Sequence, residues 1–115
     1  MPVYRYSNTV ALKEDENAIL RVAFGELGST AHHVIDIPGP NDKQALDQCV
    51  ENLGTLDELA KERTLIYTKA VNINPNSEDV KLKYFINEQE VANHSNPKNV
   101  DPSPLIIVTL RFIPQ

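Results

Sequence analysis

Two imidazoles and a carboxylate stand within five residues at His32-His33-Val34-Ile35-Asp36. Those types together can bind a metal or move a proton. The surrounding residues read as a strand, which sends His32 and His33 to opposite faces. It also sets His32 and Asp36 roughly 13 Å apart, too far for one Zn²⁺ held by bonds of about 2 Å. A site would need the third histidine, His94, brought in from a distant segment. Surface or half-buried histidines are therefore expected, with no catalytic residue, no metal and no cofactor assigned.

The other chemistry-bearing groups read the same way. The single cysteine, Cys49, falls on an apolar stripe with Leu46 and Val50; a buried thiol there is a small hydrophobe rather than a nucleophile. Gly25-Glu26-Leu27-Gly28-Ser29-Thr30 faintly resembles a phosphate loop but lacks the lysine and the spacing of one. The Glu14-Asp15-Glu16 run has no EF-hand order and reads as an acidic turn. Asn93-His94-Ser95 satisfies the glycosylation sequon, which has meaning only in a secretory compartment. No motif of a known family can be laid on these residues.

Composition narrows the classes. The 115 residues suit one domain over 1–115, and a formal charge of −5 opposes nucleic acid. Lys81 and Lys83, with Lys69 and Arg111, are the best candidates for a basic patch, and they are spread over three segments. With no Trp, four Tyr and three Phe, stacking platforms are few. A lone cysteine cannot form an internal disulfide, no apolar run is long enough for a membrane helix, and no leader-like run follows Met1. The default expectation is a cytoplasmic protein away from membranes.

Period-two alternation marks most of the elements that position these groups. Val3 to Tyr6 and Thr9 to Lys13 are short strand candidates, followed by Ala18 to Phe24, His32 to Ile37, Thr64 to Ile73, Val80 to Ile86 and Leu105 to Ile113. The middle switches period. Asn41 can cap a helix, Leu46, Cys49, Val50 and Leu53 follow at helical spacing, and Gly54 can close it. Thr55 to Glu58 matches a capping box for a short second helix. Asn74 to Asp79 predicts a hairpin turn between the strands on either side. Asn87 to Pro104, rich in proline and asparagine, predicts a long irregular loop. The last strand carries Ile106, Val108, Leu110 and Phe112 on one face and Leu105, Ile107 and Ile113 on the other, so it is expected to be central and covered on both sides.

These elements predict an α+β domain: a mostly antiparallel sheet with a helical segment, about 42–62, packed on one face. A β-sandwich with a helical crossover is the alternative, decided by what meets Ile19, Ile66 and Ile107. The expected function is a non-enzymatic interaction or assembly domain. Its partner would be a second copy or another protein, touched by the 74–79 turn and the 88–104 loop. One alternative is a small-molecule-binding or enzymatic domain with His33, Tyr67, Tyr84 and Glu26 around a pocket between sheet and helix. Another is an extracellular adhesin-like sandwich.

Overall fold

In the computed structural model, which describes residues 3–40 and 42–115, nine strands form two facing sheets. In chain order they are β1 (Val3–Leu12), β2 (Asn17–Phe24), β3 (Ser29–Asp36), β4 (Lys43–Leu46), β5 (Cys49–Thr55), β6 (Thr64–Asn72), β7 (Asp79–Ile86), β8 (Gln89–Pro97) and β9 (Leu105–Pro114). One sheet has the order β1-β9-β6-β3-β4 and the other β5-β2-β7-β8. Every pairing is antiparallel except β1 with β9, which run parallel over ten residues. Period-two alternation delivers the core. Leu20, Val22, Leu82, Tyr84 and Ile86 from one sheet meet Ile35, Ile66, Ile106, Val108, Leu110 and Phe112 from the other.

The predicted α+β architecture is overturned, and with it the helical segment over about 42–62 packed on one face. The middle of the chain is β4, a corner, β5 and one four-residue helix, α1 (Leu56–Leu59). Of the supposed helical stripe, Leu46 and Val50 are 66% and 64% exposed, and Leu53 is buried. The expected Asn41 cap lies outside the described residues. The spacing misleads because two short strands on either side of a sharp turn place apolar residues at the same intervals as one helix.

That turn is Asp47-Gln48, where the chain passes from the edge of the first sheet to the edge of the second. Asp47 takes a left-handed φ of 58°, uncommon outside glycine, and β3 holds it there. The Asp47 amide donates to the Ala31 carbonyl at 2.8 Å, and its carboxylate accepts from the Ala31 amide at 3.0 Å. Gln48 does the same for the other sheet, accepting from the Phe24 amide at 3.0 Å. Glu58 of the predicted capping box reaches back to Thr55 N at 3.5 Å, so the local signal for the short helix α1 is sound.

Three further expectations are corrected. Val3 to Leu12 is one strand rather than two. The segments around Asn74 to Asp79 form no hairpin, since β6 pairs with β3 and β9 while β7 pairs with β2 and β8. Half of the long loop expected over 87–104 is β8, joined to β7 by Asn87 and Glu88 at φ 49° and 65°, the mirror-image turn that two-residue hairpins favour. Asn87 also receives the Ile19 amide at 2.8 Å, which ties that turn to β2. Gly28 (φ +85°) ends the β2–β3 turn so close to Asn74 that an added Cβ would lie 2.5 Å from the Asn74 Cβ. Of the two glycines that resemble a phosphate loop, Gly28 serves this contact between two turns and Gly25 lies against Lys81 of β7.

Candidate functional site

The four residues expected around a pocket fall in three places. His33 and Tyr84 do come together, fully buried between the sheets. His33 Nε2 lies 2.9 Å from the Asp47 carbonyl, which can only accept, so Nε2 carries the proton. Burial holds the imidazole below its usual pKa, and a neutral ring leaves Nδ1 as an acceptor. The Thr68 hydroxyl therefore donates to Nδ1 at 2.8 Å and receives the Tyr84 hydroxyl at 2.7 Å. Each donor in this run has one acceptor, so the group bridges the sheets and offers nothing to a ligand. Burial raises the Tyr84 phenol far above its ordinary range, which removes it as an acid or base. Glu26 sits on a turn, 3.6 Å from Lys81. Tyr67 faces outward from the opposite side of its sheet, 37% exposed. With no long helix, the pocket between sheet and helix does not form.

The remaining sequence candidates are also placed. His32 is exposed and turned away from His33, with Nε2 3.1 Å from Gln44 Oε1. His94 lies in the interior edge of the second sheet, bonded to Tyr6 and Asn96. Cys49 is a half-buried residue of strand β5 rather than of a helix, and burial pushes its thiol upward, against thiolate chemistry. The 74–79 turn does approach the end of β8 and the loop after it, enclosing an open groove of about 780 Å³. Its lysine, Lys98, is already engaged by the Asn74 carbonyl at 2.7 Å. Lys81 and Lys83 lie on one sheet and Lys69 and Arg111 on the other, so the four basic residues form no single patch.

What remains is the outward face of the five-stranded sheet. Its registers set Arg5, Ile107, Tyr67, Val34 and Gln44 in one row across β1, β9, β6, β3 and β4. The row on one side holds Val3, Leu105, Lys69, His32 and Leu46, and the row on the other Ser7, Thr109, Leu65 and Asp36. Ile107 is buried by its neighbours alone at 7% exposure, while Val34, Val3 and Leu46 remain 36%, 40% and 66% exposed. The result is an apolar centre on a sheet whose inner face already forms the core.

The two lower corners of this face carry opposite charge. Toward β1, Thr9 is paired with Arg111, and Arg63 follows in the same line, one residue before the Thr64–Leu110 pair. With Ser7, Asn8 and Thr109, the two arginines line a basin of about 530 Å³ that includes no carboxylate. Toward β4, loss of solvation first, then the hydrogen bond with Asp42 and the charges of Asp42 and Glu62, hold the exposed Asp36 carboxyl above its ordinary pKa.

Sequence reasoning missed Val34, Ile107, Leu46 and Arg63 as members of one surface. The legible signal is the second apolar face of β9, which marks a strand to be covered. The register that joins it to Tyr67 and Val34 is a tertiary fact. Comparison with models of protein families, with curated proteins and with solved structures gives no match. No helix among the described residues is long and apolar enough to cross a membrane.

Proposed function

We propose that this chain is a non-enzymatic interaction domain that associates with a second copy of itself through the outer face of the five-stranded sheet. One observation carries the reading: at the centre of that face Tyr67 and Val34, 37% and 36% exposed, form an apolar row with Ile107, which only its own neighbours bury. The outer face of the four-stranded sheet supplies the contrast of a solvated surface on the same molecule. There Arg21 lies 4.1 Å over the Phe85 ring and forks onto Glu88 at 2.8 and 3.0 Å, and Lys83 meets Glu90 at 3.7 Å. Arg21 and Glu88 hold each other charged.

Size supports a second copy as the occupant. Four strands of some seven residues and the four residues of β4, about 4.8 Å apart, give a footprint of roughly 500 Å² per copy. Two such footprints reach the floor of about 1,000 Å² for a specific interface. Two sheets stacked face to face also repeat the packing by which the domain itself holds together.

Sedimentation velocity over a dilution series tests this directly. A monomer–dimer equilibrium is expected, and Tyr67→Lys should weaken it by roughly ten- to a hundredfold, since a central aromatic carries a large share of interface energy. A wild-type chain that stays monomeric at the highest concentration would remove the proposal, as would a Tyr67→Lys dimer of unchanged affinity.

A further inference from the structure

Resting on the reading of this face as a self-association surface, we infer that the two copies are related by a two-fold axis running along β6, which sets Arg111 of each copy against Asp36 of the other. β6 is the middle of the five strands. Rotation about it exchanges β9 with β3 and β1 with β4 while keeping each residue's height along the strands. Ile107 of one copy then meets Val34 of the other, and Val3 meets Leu46, since each pair stands in one row. The two Tyr67 rings meet at the axis.

The charged corners decide the orientation. Thr109 and Asp36 both stand opposite Leu65, so they share a height, and Arg111 is the next outward residue of β9. The rotation therefore carries the arginine corner of one copy onto the Asp36–Asp42 corner of the other. Within one chain Arg63, just before β6, and Arg111 on β9 are like charges at one level of the sheet, an unfavourable arrangement, and no side-chain hydrogen bond or ion pair engages either among the described residues. The three carboxyls around Asp36 are a second such cluster, made of the opposite charge. A two-fold axis across the strands is the other isologous solution. It would place Asp36 over His32 and leave both arginines with no anion, so the axis along β6 is the one that satisfies both corners.

A charge swap tests the axis separately from the face. Arg111→Asp and Asp36→Lys, both at exposed positions, each place like charges against each other twice in a homodimer. Each should weaken self-association by at least about tenfold. Mixed in equal amounts, the two variants set the introduced aspartate against the introduced lysine at one corner. The other corner keeps the native pair, Arg111 with Asp36. The mixture should form a heterodimer close to wild-type affinity in sedimentation velocity, with thermal melts by circular dichroism confirming that both variants fold. A mixture no tighter than its components would overturn the axis, even where the wild type dimerises and Tyr67→Lys does not. A monomeric wild type would instead fail the self-association reading beneath it. Salt supplies a second readout: wild-type affinity should fall as ionic strength rises, and an affinity indifferent to salt contradicts the Arg111–Asp36 contact.

Discussion

Two polar bridges cross the interior of the sandwich, one at its centre and one at its rim, and they are built alike. At the centre, Tyr84 donates to Thr68, Thr68 to His33 Nδ1, and His33 Nε2 to the Asp47 carbonyl. At the rim, the Asn96 amide nitrogen donates to the carbonyls of Pro97 and Asp101, both at 2.9 Å, which leaves its oxygen as an acceptor. His94 Nε2 donates to that oxygen at 2.6 Å, and Nδ1 accepts from the Tyr6 hydroxyl at 2.7 Å. The two histidines are thus neutral, carry their proton on the same nitrogen, and point from a tyrosine hydroxyl toward backbone carbonyls.

The difference lies in what each bridge holds. The central one fixes the corner at which β4 leaves the first sheet for β5, and His33, Thr68 and Tyr84 in it are fully buried. The rim bridge fastens β1 to β8 and gathers the 97–101 turn. Its Tyr6 is half-buried, and the Tyr4 ring stands edge-on to His94 at 4.7 Å. A shared donor order says how a histidine is protonated; water access says how much the bridge is worth. The one pairing of expected site residues that forms, His33 with Tyr84, belongs to the sealed case and is structural.

The largest expected effect comes from Thr68→Val, which keeps the shape and strands both the Tyr84 hydroxyl and His33 Nδ1 without partners. Urea unfolding should show a loss of about 2–4 kcal/mol, and a loss below ~1 kcal/mol would place water in the centre and erase the contrast. Acid comes next. Burial holds both His33 and His94 below the ordinary histidine pKa of 6.5, so below about pH 6.5 the unfolded chain takes up protons that the folded chain refuses. Thermal stability should be level above roughly pH 7, fall as pH drops through the ordinary histidine value, and level again only below the folded values. A melting temperature that rose over that interval would contradict two neutral buried imidazoles. The smallest effect belongs to Tyr6→Phe, which strands one group, His94 Nδ1, beside a half-buried ring, where Thr68→Val strands two at the centre. A loss of roughly 1 kcal/mol is expected in the same unfolding experiment, and a cost equal to that of Thr68→Val would make rim and centre equivalent.

Several elements are legible in the chain without coordinates. The alternation in Ala18 to Phe24, Val80 to Ile86 and Leu105 to Ile113 fixes strands and inward faces, because burial on a strand repeats every second residue. The opposed faces of His32 and His33 follow from the same rule. Thr55 and Glu58 mark a helix start correctly. The 43–53 segment misleads since a strand–corner–strand path carries apolar residues at helical spacing, although it leaves Leu46 and Val50 exposed. The feature that tells them apart, Asp47 in the left-handed region, depends on bonds to Ala31 and His33, distant in sequence. The Asn87-Glu88 turn stays hidden because glycine, the usual mark of such turns, is absent from it.

The amino-acid order by itself therefore determined β2, β3, β6, β7 and β9, their inward faces and the surplus of apolar residues on β9. Those properties are local, set by backbone period and side-chain hydrophobicity. Only the tertiary structure decided which strand lies beside which, and so which of those residues become neighbours. Strand pairing is a contest among contacts far apart along the chain, and no short window records its outcome. The apolar face with its arginine and aspartate corners is a product of that pairing. Its members come from five strands spread over nearly the whole sequence.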